Sequence, residues 1–315
     1  MNRCLYCYQQ LNAGEIDFHK VCSKKFFGQE TVPELPYAEK DMEALAEQVV
    51  KSQIAVTGVQ AKLSLELASE NKQQPKRFTI VGLWGSYILK PPTNHYPQLP
   101  EVEDLTMHLA SAAKINVVPH SLIRLQSGNL AYITRRIDRT KKGKLHMEDM
   151  CQLTESLTED KYHGSYEQIA KAIRKYSSQP GLDLVNFGEL LLFCFLTGNA
   201  DMHLKNFSLM HQAERDIVLS PAYDLVATSL VNPVDDEETA LTLNGKKKRL
   251  KRSDFEATFG KMGLDAKQQA NIFVKMVKAK ENWFELIQSS FLTEDFKASY
   301  IELLVKRFSV IETAK

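Results

Sequence analysis

The chain has 315 residues, 43% of them hydrophobic, and its 40 basic and 39 acidic side chains leave a net charge of +1. So even a balance excludes a protein that coats nucleic acid by charge alone. No stretch approaches the roughly 20 apolar residues of a membrane span, and the N-terminus is polar and Cys-bearing where a leader would need an apolar core; both predict a cytoplasmic protein with no membrane partner.

Residues 1–30 form a small module in which Cys4-x2-Cys7 and His19-x2-Cys22 bracket an 11-residue loop. Three thiolates and an imidazole at this spacing suit a closed, tetrahedral structural zinc site of the zinc-ribbon kind. The alternative is a chance grouping of reduced thiols, since five cysteines, an odd number, do not make a disulfide framework. A polar connector with Pro33 and Pro36 follows. Residues 41–51 read as a helix with Met42, Leu45 and Val49 on one face. Leu63, Leu65 and Leu67 then alternate with Lys62, Ser64 and Glu66, the period of a half-buried strand. Residues 78–81 and 87–90 are two more short strands, and 101–113 a helix with Leu105, Leu109 and Ala112 inward. Residues 122–125 and 130–134 flank Ser127-Gly128-Asn129, a hairpin signal.

Beyond about residue 140 the strand signal fades, and 165–176, 182–197, 265–277 and 282–291 read as helices. Thr293 caps a last helix that aligns Phe296, Tyr300, Leu304, Phe308 and Ile311. The expected fold class is α+β. It places a β-rich lobe at 31–138 and an all-helical lobe at 139–315, after the 1–30 module, with a cleft between lobes as a natural nucleotide site.

Four segments carry chemistry. Gly198 to Phe207 packs Asp201, His203, Lys205 and Asn206 behind the apolar run 190–196. Asp201 and Asn206 are five apart, the separation of base and metal ligand in a protein-kinase catalytic loop. Asp224, in Pro221-Ala222-Tyr223-Asp224-Leu225, completes a possible Mg²⁺ site. Lys90 closes the strand Tyr87-Ile88-Leu89-Lys90, where it can reach a phosphate or pair with Glu103; the alternative is an edge-strand Lys and a surface Glu. Thr57-Gly58-Val59-Gln60-Ala61-Lys62 is a Gly-containing turn whose backbone could approach phosphates, though it is neither a Walker A loop nor G-x-G-x-x-G. Two charge runs remain: Asp235 to Glu238 and Lys246 to Arg252, read as solvated loops or as a docking patch.

In this order, these segments resemble the HipA-like serine/threonine kinase toxins of bacterial toxin–antitoxin systems over about residues 52–255. The turn at Thr57 resembles their phosphate loop, Val102-Glu103 their Asn-Glu helix, and Arg135 to Arg139 their adenine-contacting interlobe segment. Gly198 to Phe207 is similar to their catalytic loop and Tyr223-Asp224 to their magnesium motif. The resemblance implies a two-lobed kinase-like fold, with Asp201 as base and Asn206 and Asp224 as Mg²⁺ ligands; His203 and Lys205, in the same loop, could touch the transferred phosphate or its acceptor. ATP contacts would come from Thr57, Gly58, Gln60, Lys62, Lys90, Glu103, Arg135 and Ile137. It implies a protein acceptor, in known members an aminoacyl-tRNA synthetase, and autophosphorylation beside the phosphate loop. Here Ala55 and Thr57 stand at the positions where the family has Ser, which makes Thr57 the expected site. The short N-terminal extension resembles the HipT type, partnered by a HipS-like protein and a DNA-binding HipB-like antitoxin, so that DNA is reached only indirectly. The alternative from another class is a nucleotide-sensing pseudokinase that binds a partner or DNA.

Overall fold

The computed structural model describes residues 2–39, 41, 62–68, 76–81, 85–140, 143–213 and 216–312. Apart from Asp41, the expected helix at 41–51 lies outside the described residues, as do the loop residues Thr57, Gly58 and Gln60. The fold is mixed α+β, and the chain divides into two units. One comprises Met1–Asp104, Val118–Ile137 and Ser289–Phe291; the other comprises Leu105–Val117, Asp138–Gln288 and Leu292–Lys315.

The first unit is built on a five-stranded antiparallel sheet, β1 (Leu63–Ala68), β2 (Arg77–Val81), β3 (Tyr87–Lys90), β4 (His120–Arg124) and β5 (Leu130–Arg135), in the order β2-β1-β3-β5-β4. Alternation does what its period requires: Leu63 and Leu65 are buried while Ser64 and Glu66 are half-exposed. The β4–β5 hairpin turns at Gly128, whose φ of 93° favours glycine. The Cys/His segment shares this core. Its helix Lys20–Phe27 sends Phe26 and Phe27 into an aromatic chain that continues through Phe78 and Tyr87, with adjacent rings 4.8, 5.8 and 5.3 Å apart. The Leu5 carbonyl accepts from Leu122 N–H and from Ser121 Oγ on β4, at 3.4 and 3.2 Å.

The second unit is mostly helical, yet not all-helical as expected. β6 (Arg139–Thr140) and β7 (Gly143–Lys144) form a small ribbon, and β8 (Met147–Asp149), β9 (Ser208–Ala213) and β10 (Asp216–Leu219) form a sheet in the order β10-β9-β8. These strands are short and mix His211 and Gln212 with apolar residues, so no clean alternation announces them. A second correction concerns 265–277 and 282–291, which are one helix, Ala266–Ser289. The polar stretch Lys278 to Glu281 consists of good helix formers. The buried face runs through it unbroken, from Ile272, Phe273 and Met276 to Ala279, Trp283 and Ile287.

Local signals decide the other helices. Ser165 Oγ accepts from Gln168 N–H to cap Tyr166–Tyr176, and Pro180 opens Pro180–Leu196. The last helix, Glu294–Glu312, buries Tyr300, Leu304, Phe308 and Ile311. The two charge runs face each other, Lys247 pairing with Glu237 and Lys248 with Asp236, while Lys246 pairs with Asp254 on the helix Arg252–Lys261. Among the described residues, no helix is long and apolar enough to cross a membrane.

Candidate active site

The apolar helix Pro180–Leu196 is buried along its whole last two turns, and the chain leaves it through Gly198. The φ of 68° there favours glycine, and a Cβ would stand 2.7 Å from Leu303 and 3.1 Å from Ser229. The short helix Thr228–Val231 holds the emerging loop. Ser229 N–H donates to the Gly198 carbonyl at 2.9 Å, and Ala200 N–H donates to Thr228 Oγ1 at 2.8 Å.

Asp201 follows, half-buried. Its Oδ1 accepts from the Tyr162 hydroxyl at 2.7 Å, and its carbonyl accepts from Asn206 Nδ2 at 3.0 Å and His203 N–H at 2.8 Å. The five-residue spacing seen in sequence thus closes one hydrogen-bonded loop, ending in the 3-10 turn Leu204–Asn206. With its nitrogen engaged, the Asn206 amide presents its oxygen as the remaining donor for a cation.

Asp224 arrives by topology. β9 and β10 are a hairpin, so the residues before one strand and after the other are neighbours: Ser220 N–H donates to the Ser208 carbonyl at 2.9 Å. Asn206 lies two residues before β9 and Asp224 five after β10. Ala222 N–H donates to the Asn116 carbonyl at 2.8 Å and steadies the segment. Asp224 itself has φ 60°, a left-handed conformation that costs a non-glycine residue about 1 kcal/mol.

The electrostatics agree with this convergence. Burial, then the hydrogen bond and charge of Asp201, then the charge of Asp224 push the Tyr162 hydroxyl well up. Burial holds the His203 imidazole below its ordinary value, against the pull of Asp201 and Asp224. His203 is buried at 6% exposure, its ring edge-on to Tyr162 with centroids 5.0 Å apart. Lys205 Nζ donates to Asp149 Oδ2 at 2.7 Å, while the Lys205 carbonyl accepts from the Tyr223 hydroxyl at 3.0 Å. Asp149 also caps the helix Met150–Leu153 with its other oxygen. Tyr162 and Asp149 escaped sequence reasoning because they stand 39 and 56 residues from their partners. Tyr162, in the polar turn Lys161-Tyr162-His163-Gly164, carried a faint signal; Asp149 carried none.

In the first unit, Lys90 Nζ lies 2.5 Å from Glu103 Oε1 and 5.4 Å above the Tyr132 ring. Both members are buried, at 4% and 0% exposure. The edge-strand alternative is excluded, because β3 is the middle strand of the sheet. Lys62 is exposed just before β1, Arg135 is exposed at the end of β5, and Ile137 is half-buried.

The Cys4, Cys7, His19 and Cys22 ligand atoms all lie within 4.8 Å of one another. Cys7 Sγ and Cys22 Sγ stand 3.4 and 3.7 Å from His19 Nδ1, and His19 N–H donates to Cys4 Sγ at 3.5 Å. His19 Nε2 meets the Gln10 carbonyl at 2.9 Å, which places the ring proton on Nε2 and turns the Nδ1 lone pair toward the thiols. The donor set therefore fits a tetrahedral thiolate–imidazole metal site.

The family model for the HipA-like C-terminal domain matches residues 54–284. The candidate kinase Y4dM of Sinorhizobium fredii is 34% identical over 200 residues, 59% of this chain and 47% of its own. A candidate kinase of Haemophilus influenzae is 30% identical over 226 residues, 67% of this chain and 62% of its own. The chain thus spans about half the length of the curated relatives it matches. Among solved structures, a chain of the Shewanella oneidensis MR-1 HipA, HipB and operator DNA complex matches with TM-score 0.68 at 21% identity, over 86% of this chain and 73% of that one. The Helicobacter pylori proinflammatory kinase CtkA matches with TM-score 0.56 at 13% identity, over 79% and 94%. At such identities the likeness is one of fold. The family match covers well over half of the sequence, and the chain belongs to the HipA-like C-terminal domain family.

Proposed function

We propose that the chain is a cytoplasmic, toxin-type serine/threonine kinase that transfers the γ-phosphate of ATP to a protein of the translation machinery, an aminoacyl-tRNA synthetase in the first place. One observation carries this proposal: Asp201 is hydrogen-bonded to Asn206, and Asn206 and Asp224 flank the open end of the β9–β10 hairpin. Phosphoryl transfer asks for little covalent chemistry from a protein; it asks for a positioned base, oxygen ligands for the metal and cations for the phosphates. Asp201 would take the acceptor hydroxyl proton, with Tyr162 holding one carboxylate oxygen. Asn206 and Asp224 would hold Mg²⁺, which supplies neutralising charge at the phosphates. Lys90 and Lys62 would meet the phosphates, and Arg135 and Ile137 the adenine. Lys205, tied to Asp149, and His203, packed under Tyr162, would keep the loop in shape. The kinase designation of the sequence relatives and the fold shared with CtkA support this assignment.

Thr57 would be the autophosphorylated residue. HipS-like and HipB-like proteins would be the partners, with DNA reached through the antitoxin; the structural neighbour in a HipB and operator complex supports the second of these. A structural Zn²⁺ would sit on Cys4, Cys7, His19 and Cys22.

Labelled ATP in a cell lysate, with phosphosite mapping, tests the proposal. Wild type should label one Ser or Thr acceptor and its own Thr57, and Asp201→Asn should label at least about 100-fold more slowly. Equal labelling by the variant would sink the role given to Asp201.

A further inference from the structure

Tyr8 is the residue after the second cysteine of Cys4-Leu5-Tyr6-Cys7, and the tight turn forces it to φ 63°, where glycine would be unstrained. Tyr8 N–H donates to the Cys4 carbonyl at 2.9 Å, and Cys4 N–H to the Gln9 carbonyl at 2.8 Å, so the thiol turn itself dictates this conformation. A strained tyrosine needs a compensating contact. Two contacts of the side chain serve. Its ring, at 2% exposure, lies edge-on to Phe291 with centroids 5.2 Å apart, and its hydroxyl donates to Asp104 Oδ2 at 2.8 Å.

The other Asp104 oxygen lies 2.7 Å from His120 Nδ1 on β4. The residue before Asp104 is Glu103, which holds Lys90 on β3. Two adjacent carboxylates, both at 0% exposure, therefore fasten one turn of the helix Leu99–Ala112: one to β3, the other to β4 and the thiol turn. Neighbouring helix residues point about 100° apart but share one rigid backbone turn, so a shift that loosens Asp104 also moves Glu103. Neither carboxylate tolerates losing its partners while buried. Leu5 anchors one side of the thiol turn to β4 and the core, and the ligand cluster closes the other side, where Tyr8 begins, so the conformation there depends on whatever ties Cys4, Cys7, His19 and Cys22 together.

Resting on the zinc assignment above, we propose that metal binding at this cluster positions the Lys90–Glu103 pair through Tyr8 and Asp104, so that zinc occupancy sets the affinity for nucleotide. Tyr8 is a positioning residue: it touches neither phosphate nor metal. Oxidation or loss of the cluster would then weaken ATP binding without altering a group at the chemistry.

The test uses the full chain. Metal content is measured by elemental analysis, amide hydrogen exchange over residues 87–90 and 99–104, and affinity with a fluorescent ATP analogue, for wild type, chelator-stripped wild type and Tyr8→Phe. Tyr8→Phe keeps the ring packing and removes only the hydroxyl, so it should fold and keep one zinc. Both altered forms should exchange faster over these segments and bind nucleotide about tenfold more weakly, with KM for ATP raised and kcat unchanged. Tyr8→Phe with zinc bound, wild-type exchange and wild-type affinity would overturn the coupling. Wild type purified without zinc, and gaining no protection on zinc addition, would overturn the metal's part in it. The exchange readout needs no nucleotide, so failure of the kinase proposal would show as absent ATP binding with the zinc-dependent exchange intact.

Discussion

Lys90 and Glu103 are sealed inside the first unit, whereas Asp201, Lys205 and Asp224 stand half-exposed in the second. The first constellation is an ion pair with little access to water, whose order comes from burial and from the middle strand of a sheet. The second is held by a mesh of loop hydrogen bonds, from Asn206, Tyr162, Tyr223 and Asp149. The difference teaches how one chain can meet two demands. A cation that fixes a ligand gains from rigidity and low dielectric. A base of the kind proposed for Asp201 must be reached by the substrate hydroxyl whose proton it takes.

Breaking each constellation should therefore register differently. Lys90→Met leaves the Glu103 carboxylate buried without its cation and should cost about 4 kcal/mol of stability in denaturant unfolding. Lys90→Met with Glu103→Leu should recover most of that loss while nucleotide binding stays lost. A single variant as stable as wild type would show the pair to be no structural element. Asp201→Asn should act in the opposite sense, with unfolding within about 0.5 kcal/mol of wild type and phosphate transfer slowed at least about 100-fold, some 2.7 kcal/mol in the barrier.

Gly198→Ala should lie between the two, costing about 2 kcal/mol through its positive φ and the crowding at Leu303 and Ser229, and slowing transfer by misplacing Asp201. A crystal structure or unfolding curve identical to wild type would contradict it. Lys205→Met removes a partly exposed pair with Asp149, worth at most about 1 kcal/mol of stability, so its effect should appear in turnover rather than in melting.

The smallest effect concerns pH. Burial holds His203 below its ordinary 6.5, against Asp201 and Asp224 and with Lys161 opposing its charge. Below 6.5 the unfolded chain binds a proton that the folded one refuses, so this contribution to stability is full above 6.5 and is lost as pH falls toward the folded value. His203→Gln should flatten the stability profile on the acid side of pH 6.5; an unchanged slope would place the titrating group elsewhere.

Much of this was legible beforehand where the signal is local. Leu63 and Leu65 alternate with polar neighbours, Ser165 caps its helix, and Asp201 and Asn206 meet because five residues of loop bring them together. The Cys4, Cys7, His19 and Cys22 set was visible as spacing, and the structure brings the four ligand atoms together. The sheet β8–β9–β10 was not legible, since strands of three to six residues with His211 and Gln212 among them lack a clear period. Nor was the continuity of Ala266–Ser289, where polar helix formers mimicked a break.

Sequence alone therefore determined the candidate residues for chemistry and their order, because loops of catalytic type, thiol knuckles and amphipathic helices are short-range patterns written in adjacent positions. Only the tertiary structure decided their environments. Lys90 became a buried cation rather than a surface one because β3 is the middle strand, and Asp224 joined Asn206 because a hairpin returned it there. Tyr162 reached Asp201, and Asp149 reached Lys205, across 39 and 56 residues. Burial and long-range pairing depend on how elements stack, and that information is spread over the whole chain rather than held at any one position.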